Sequence, residues 1–298
     1  MSMRVAVTGA SGFTGRALEA DLRRDGHTVL RIGRGSGSDV RWDPEGGRLD
    51  ATALAGVDAV VHLAGAPVGE RWTPERKGAI RDSRVRGTLL VATTLAALPP
   101  EQRPRVLLCA SAIGFYGSRG DLWLDESSSS GDDFLADVAR EWEGAAEPAH
   151  SAHIRVVHLR TGLVLNPHGG ALAKMLPVFR LGAGARLGSG KQWMSWIGLR
   201  DQVRAMRFAL DTEALTGAVN SVAPAPVTNA VFTSTFAHVL GRPALAAAPA
   251  FALKMLYGEM AESTLLASQR VRPAKLVTAG FVFEHPELDG ALRFELAT

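Results

Sequence analysis

A glycine-rich turn near the N-terminus, TGASGFTG, has the residue types and spacing that hold a diphosphate. The residues of this turn that we predict to contact a dinucleotide are Gly9, Ser11, Gly12, Phe13 and Gly15. In a G-x-x-G-x-x-G turn between a strand and a helix, the first glycine allows a sharp turn, the second lets backbone N–H groups approach the phosphates, and the third lets the helix pack on the sheet. The helix N-terminus adds unpaired donors and a partial positive charge. The alternative interpretation is an ordinary tight turn.

A second feature follows the next apolar run, HTVLRIG. A site for NAD usually places Asp or Glu about 20 residues after the glycines, where the carboxylate binds the ribose hydroxyls. This chain has Gly33 and Arg34 there instead, with Arg31 nearby. A guanidinium suits the 2′-phosphate of NADP, so we expect NADP(H) as the cofactor in preference to NAD(H). The alternative is that Arg34 is a solvated arginine on a loop.

These residues need a sheet to position them, and short apolar runs supply its strands: RVAVTG, HTVLRIG, DAVVHLAG, RVLLCASA and IRVVHLRTG. Helical patterns alternate with the runs. In residues 14–26, for example, Leu18 and Leu22 mark one helical face and Gly26 marks the end. The alternation predicts an α/β fold of Rossmann type, a doubly wound parallel sheet that binds its ligand at the carboxyl ends of the strands.

The regular alternation fades after about residue 165. A Gly-rich, aromatic stretch at 165–200 is typical of a loop-and-helix lid, and residues 243–298 hold two amphipathic patterns punctuated by proline. We therefore predict an NAD(P)-binding domain at 1–225, to which 165–200 contributes a substrate-side lid. A smaller, mostly helical lobe is predicted at 226–298.

Composition narrows the class of partner. The 298 residues carry 33 basic and 30 acidic side chains without a block of like charge, so nucleic-acid binding is not expected. The single cysteine, Cys109, excludes an intrachain disulfide, and no long apolar stretch or leader is evident, which predicts a cytoplasmic protein without a membrane segment. The eight histidines show no metal-ligand spacing, so no metal is predicted. A small-molecule substrate is the expected partner.

With the motifs above and the stretches HLAGAPV, SRVRGT, RTGLVL and SQRVRPAKLVTAGFVF, the chain resembles the extended or atypical short-chain dehydrogenase/reductase superfamily. More narrowly, it is similar to the NAD(P)-binding, epimerase-like subgroup with an appended C-terminal domain, over nearly the whole chain. The resemblance implies that Leu63, Ala64 and Gly65 line the ribose on the nicotinamide side. It also implies that Arg84 reaches a phosphate or ribose, although a plain helix-surface role is the alternative for this arginine.

Reductases of this superfamily move a proton with a Ser, a Tyr and a Lys, the last two spaced Tyr-x-x-x-Lys on one helix. In either register this chain has no phenol and no ammonium, because the residues are Phe134 and Val138, or Leu135 and Ala139. The usual triad is therefore absent.

Tyr116 is the replacement that we predict for the missing acid/base group. It is one of two tyrosines and lies in a Gly-flanked turn just beyond the fourth predicted strand of the set, at the edge where cofactor and substrate meet. Ser111 is the predicted orienting residue. The alternative is that Tyr116 is a packing residue whose hydroxyl bonds to the backbone.

A wall for the substrate is predicted in GSGKQWMSW, where the candidate residues are Lys191, Gln192, Trp193 and Trp196. Indole rings would give a flat apolar surface, and the polar pair would set orientation. The alternative is burial of both tryptophans in the core. Two functions stay open: an NADP-dependent oxidoreductase or epimerase-like enzyme acting on a small carbonyl or sugar-like substrate, and a non-catalytic NADP(H)-binding sensor or interaction protein.

Overall fold

The computed structural model describes residues 2–297. Within these residues the strands are β1 (Arg4–Thr8), β2 (Thr28–Gly33), β3 (Val40–Asp43), β4 (Arg48–Leu49), β5 (Ala59–His62), β6 (Val106–Ala112), β7 (Trp123–Leu124), β8 (Arg155–Thr161), β9 (Leu163–Leu165), β10 (Ala185–Leu187), β11 (Trp193–Met194), β12 (Trp196–Gly198), β13 (Gly217–Ser221), β14 (Val227–Thr228), β15 (Ala246–Ala248) and β16 (Arg270–Val271). The helices are α1 (Phe13–Arg24), α2 (Ala51–Leu54), α3 (Pro74–Ala96), α4 (Phe134–Gly144), α5 (Glu147–Ser151), α6 (Gly170–Arg180), α7 (Leu199–Asp211), α8 (Asn229–Val239), α9 (Ala250–Tyr257), α10 (Ala274–Thr278) and α11 (Leu288–Ala297). A 3₁₀ turn (Ile113–Tyr116) follows β6.

The main sheet has eight strands in the order β13-β8-β6-β5-β1-β2-β3-β4. All neighbours pair in parallel except β3 and β4, which form an antiparallel edge. The five predicted runs are β1, β2, β5, β6 and β8, so the predicted doubly wound parallel sheet is confirmed. Strands β3, β4 and β13 were not predicted, because they are short or carry polar side chains that interrupt an apolar run.

The strand order creates a crevice beside the glycine-rich turn. From β1 the chain moves outward to β2 and β3 and then returns to β5 on the other side of β1. The connections on the two sides of β1 leave in opposite directions, and this divergence opens a space at the carboxyl ends of β1 and β5. The loops that follow these two strands are therefore the ones that a ligand would meet.

Two hydrophobic cores cover the two faces of the main sheet. On one face α1, α7 and α10 pack against β1, β5, β6 and β8, and on the other face α2, α3 and α5 pack against the same strands. The predicted face of α1 is the buried one: Leu18 and Leu22 have no exposed surface, which stabilises the fold by about 2 kcal/mol for each side chain. Gly26 follows α1 with a φ of 81°, a conformation that favours glycine and ends the helix.

A third core belongs to a second lobe that is assembled from separate stretches of chain. It joins Leu172 and Phe179 of α6 to Phe232 and Phe236 of α8 and to Leu292 of α11. Helix α10, in contrast, contributes Leu276 to the first core. The predicted domain boundary between residues 225 and 226 stays a prediction. The first residue of the first predicted domain, 1, and the last residue of the second, 298, lie outside the described residues.

Neither a membrane span nor a metal cluster is present in the described part of the chain. No helix within residues 2–297 is long and apolar enough to cross a bilayer. No group of three or more His, Cys, Asp or Glu side chains in this range lies close enough together to hold a metal ion. Cys109 is completely buried in β6, and this burial raises the pKa of its thiol to about 12.

Candidate functional site

The glycine-rich turn folds tightly against the loop that follows β5. Gly9 has a φ of 69°, and a Cβ on it would lie 2.9 Å from the Ala64 nitrogen. A Cβ on Gly15 would lie 2.3 Å from the Gly9 carbonyl oxygen, so the start of α1 rests directly on the turn. Gly12 is the N-cap of α1 and provides no side chain to its first N–H groups. The turn therefore presents free backbone donors at the crevice, as an anion-binding helix N-terminus requires.

Thr8 connects the ends of β1 and β5. Its Oγ1 accepts hydrogen bonds from the backbone nitrogens of Leu63 (3.0 Å) and Ala64 (3.2 Å) and lies 2.7 Å from His62 Nδ1. Because two N–H groups already occupy its lone pairs, the hydroxyl donates to His62 Nδ1, and the histidine proton is on Nε2. Burial lowers the pKa of His62 to about 4, so the ring is neutral. These bonds place the predicted residues Leu63, Ala64 and Gly65 beside the glycine turn.

The two arginines near the end of β2 differ in their partners. Arg31 donates to Glu19 of α1 over 2.7 and 2.8 Å, and this interaction raises the pKa of its guanidinium. Arg34 is exposed on the loop after Gly33 and has no ion pair within residues 2–297. Of these two arginines, Arg34 is thus the one that is free to meet an anion in the described part of the chain.

Arg84 lies against the loop at 65–66. Its Nη1 donates to the Ala66 and Ile80 carbonyl oxygens, each at 3.0 Å, and its guanidinium carbon is 5.0 Å from the centre of the Trp142 ring. Burial lowers the pKa of Arg84 to about 10, and no carboxylate of the described chain pairs with it. Arg84 therefore supports the loop and keeps an uncompensated positive charge at the crevice.

Helix α4 is the helix on which the resemblance predicts a Tyr-x-x-x-Lys pair, and it presents an aromatic ring. Phe134 lies at its start, with the Trp72 ring at 5.1 Å and the Lys77 ammonium 4.3 Å above the Phe134 ring. Lys77 also contacts Glu259 at 2.9 Å, so it bridges α3 and the second lobe. The lysine beside this ring thus comes from α3, and α4 itself has neither a tyrosine nor a lysine.

Tyr116 and Ser111 belong to a buried polar network. The Tyr116 hydroxyl donates to Asn220 Oδ1 at 2.7 Å and accepts from Arg160 at 3.1 Å, and Ser111 donates to Glu143 at 2.7 Å. Arg160 and Glu143 form a two-bond ion pair at 2.8 Å in which Arg160 is buried and the Glu143 side chain is 13% exposed. Tyr116 has no exposed surface, and burial raises its pKa to about 12. This geometry favours a packing role for Tyr116, and the predicted acid/base role stays untested.

We expect Tyr116→Phe to lower the free energy of unfolding by about 1 to 3 kcal/mol, because Asn220 and Arg160 would each lose a buried hydrogen-bond partner. Urea titration followed by circular dichroism measures this loss. Cofactor affinity should stay unchanged, because the hydroxyl does not face the crevice. A variant with wild-type stability and no turnover would contradict the packing role and return Tyr116 to proton transfer.

The four residues of the predicted substrate wall do not lie on one surface. Gln192 is buried and donates its Nε2 to the Leu187 and Leu265 carbonyl oxygens at 3.1 Å. Trp196 has no exposed surface and donates to the Ala225 carbonyl, whereas Lys191 is exposed. Only Trp193 is a half-buried ring at the surface of the second lobe. Burial in the core is therefore the arrangement observed for one of the two tryptophans.

Three residues that complete the polar network were not predicted: Glu143, Arg160 and Asn220. One signal was available: Arg160 interrupts the apolar run IRVVHLRT, and a charge in a buried strand needs a partner. The partner itself could not be found in this way, because Glu143 is 17 residues away on α4. The contacts of Lys77 with the Phe134 ring and of Arg84 with the Trp142 ring were not predicted for the same reason, because the cations lie on α3 and the rings on α4.

The sheet order, the switch-point crevice and the uncapped glycine turn define a Rossmann-type α/β protein. The chain belongs to the NAD dependent epimerase/dehydratase family, whose model matches residues 5–222. A second model, a domain of unknown function (DUF1731), matches residues 248–295. These matches confirm the resemblance to an epimerase-like group with an appended C-terminal domain.

Relatives span almost the whole chain. An epimerase family protein of Mycobacterium bovis is 44% identical and covers 97% of this chain and 96% of its own length. The human epimerase family protein SDR39U1 is 35% identical and covers 98% of this chain and 99% of its own length. A crystal structure of human SDR39U1 (isoform 2) with NADPH superposes with a TM-score of 0.91, at 33% identity and 99% coverage of both chains. A nucleoside-diphosphate sugar epimerase structure from Corynebacterium glutamicum has a TM-score of 0.81 and 36% identity over 99% of this chain and 58% of that one.

Proposed function

We propose that this protein binds NADP(H) in the crevice between β1 and β5. The observation that carries the proposal is the glycine turn, whose free backbone donors face the crevice. Arg34, which has no ion pair among the described residues, lies beside it at the end of the neighbouring strand β2. The turn fits a diphosphate because a side chain on Gly9 or Gly15 would collide with backbone atoms, while Gly12 leaves the helix N-terminus open. The NADPH in the structure of human SDR39U1 supports the same cofactor.

Each part of the dinucleotide has residues that would hold it. The backbone at 11–13 would bind the diphosphate, and Arg34 would bind the 2′-phosphate. The loop at 63–65 would border the ribose on the nicotinamide side, and Arg84 beside it would add positive charge. When bound, NADPH would supply a hydride, and the protein would supply orientation and electrostatics.

The activity that we propose is oxidoreduction or epimerisation of a small carbonyl or sugar-like substrate. Membership of the epimerase/dehydratase family and the charged, aromatic surroundings of Phe134 support it. A second candidate, a non-catalytic NADP(H)-binding sensor or interaction protein, is favoured by the lack of Tyr and Lys on α4. Both candidates share the cofactor and differ in turnover.

One experiment separates the two candidates. NADPH fluorescence is titrated with the purified protein, and the bound cofactor is then exposed to a panel of carbonyl compounds while its oxidation is followed. Oxidation by a subset of the panel supports the enzyme. Tight binding with no oxidation across a broad panel supports the sensor, and lack of binding of either NADPH or NADH rejects both.

Arg34→Ala tests the phosphate assignment. We expect it to weaken NADPH binding by about 10- to 100-fold, the loss that follows removal of a charge-assisted hydrogen bond. NADH lacks the 2′-phosphate, so its affinity should change little. Arg31→Ala is the matched variant, and we expect a smaller effect because Glu19 already binds that guanidinium. Equal losses for NADPH and NADH in Arg34→Ala would contradict the assignment.

A cytoplasmic location stays part of the proposal. The relative from Arabidopsis thaliana, 41% identical, is named as chloroplastic, so family members are not confined to one compartment. The expectation of no nucleic-acid partner also stays a prediction. Fractionation of the native organism followed by immunoblotting would test the compartment.

A further inference from the structure

An arginine of the second lobe is enclosed between two tryptophans. The guanidinium carbon of Arg270 lies 4.1 Å from the centre of the Trp123 ring and 4.0 Å from that of Trp193. Arg270 is directly opposite Trp123 in the parallel pair of β16 and β7. Trp193 is held by its Nε1, which donates to Asp121 at 2.8 Å, and by its backbone nitrogen, which donates to Ser268 at 3.0 Å. The planar cation is thus fixed between two aromatic faces, an arrangement that suits arginine and not lysine.

The Arg270 guanidinium has no counter-charge in the part of the chain that the structure describes. Within residues 2–297 no carboxylate lies within ion-pair distance of it, whereas Arg272, two positions later, pairs with Asp125 at 2.6 Å. Arg270 Nε is buried without a hydrogen-bond partner. The two terminal nitrogens, Nη1 and Nη2, are not among the buried atoms, and Arg270 as a whole is half-buried. The Nη1 and Nη2 edge of the guanidinium therefore faces the surface. A guanidinium with fixed orientation and free parallel N–H groups matches the two oxygens of a carboxylate or phosphate.

The stack lies at the substrate side of the sheet. Gln269, the residue before Arg270, donates its Nε2 to the carbonyl oxygens of Ile113 (3.1 Å) and Gly117 (3.3 Å). Both carbonyls belong to the turn beyond the carboxyl end of β6. Ligands of doubly wound sheets bind at this edge of the strands, so an anionic group on such a ligand would lie within the same region as Arg270.

We propose that Trp123, Arg270 and Trp193 form an oxyanion-binding site that takes the carboxylate or phosphate of the small-molecule substrate. The proposal rests on the proposed function, and it narrows the substrate class to compounds with an acidic group. The two indoles exclude water from the faces of the guanidinium and hold its plane. The terminal N–H groups then meet the oxyanion side by side.

Isothermal titration and tryptophan fluorescence with inorganic phosphate and with acetate test the site, at constant ionic strength set with chloride and without NADPH. The wild-type protein should bind at least one of the two anions saturably. Arg270→Met should weaken that binding by about 10- to 100-fold. Arg270→Lys keeps the charge without the planar fork and should also weaken it. Arg242→Met is the matched control, because Arg242 is an exposed arginine without an ion pair or an aromatic stack in the described chain, and it should bind as the wild type does.

The two anions distinguish the source of the oxyanion: preference for phosphate indicates a phosphorylated substrate, and preference for acetate indicates a carboxylic acid. Absence of saturable binding of both anions to the folded wild-type protein would overturn the proposal. Equal binding by wild type and Arg270→Met would overturn it as well. NADPH titration of the same samples keeps the two proposals apart, since NADPH binding without anion binding rejects only the oxyanion site.

Discussion

Replacing Gly15 with alanine should abolish most of the binding of NADP(H). A Cβ at this position would lie 2.3 Å from the Gly9 carbonyl oxygen and 2.8 Å from the Ala10 Cα. Both contacts are with backbone atoms, so the new methyl group would push α1 away from the turn instead of moving a flexible side chain. Overpacking of this kind costs about 1 to 3 kcal/mol, and the displaced donors add to the loss at the diphosphate. We expect the NADPH dissociation constant to rise about 100-fold.

A titration of NADPH fluorescence measures the effect of Gly15→Ala, and circular dichroism shows whether the variant stays folded. Gly78→Ala is the control, because Gly78 is exposed in α3 and a Cβ there meets no atom within 4 Å. It should bind NADPH as the wild type does and should be slightly more stable, since alanine favours a helix over glycine. A folded Gly15→Ala protein with wild-type affinity would show that the diphosphate does not lie on this turn.

Replacing Glu143 with alanine should destabilise the fold by about 3 to 5 kcal/mol, the cost of leaving a buried ion unpaired. The Arg160 side chain is only 6% exposed, and Glu143 accepts two hydrogen bonds from its guanidinium, each at 2.8 Å. Ser111 would lose its acceptor as well. The loss would loosen the contact between α4 and strands β6 and β8, which is why the expected effect exceeds that of an ordinary surface substitution.

The same helix provides a control. Glu141 pairs with Arg81 at 3.3 Å, with 45% and 43% of the two side chains exposed. An exposed pair of this kind contributes about 0 to 1 kcal/mol, so Glu141→Ala should change stability little. Urea unfolding of both variants gives the comparison. Equal losses in Glu141→Ala and Glu143→Ala would show that the buried network does not anchor α4.

Much of the fold could be predicted because its signals are local. The apolar runs of β1, β2, β5, β6 and β8 are continuous, as expected for parallel strands that are buried on both faces. The short strands β3 and β4 and the polar edge strand β13 do not show such a pattern. The glycine-rich turn could be predicted equally well, because the steric requirements for its three glycines arise within seven consecutive residues.

The positions of the proposed proton-transfer and substrate residues were harder to predict from the sequence. Tyr116, Gln192 and Trp196 have chemistry that suits a site, but their polar atoms bond to Asn220, to Leu265 and to Ala225, which are distant in the chain. A polar side chain that finds such a partner becomes part of the interior. Residue type alone does not distinguish this outcome from exposure in a cleft.

The amino-acid sequence by itself determined the parallel sheet, the glycine turn and the absence of Tyr and Lys from α4, because each depends on residues that are neighbours along the chain. Only the tertiary structure decided which charges are neutralised. It joins Arg160 to Glu143 and Arg31 to Glu19, and it leaves Arg34, Arg84 and Arg270 without a carboxylate among the described residues. The physical reason is that an ion pair depends on distances of a few ångströms between atoms, and the packing of separate elements sets those distances.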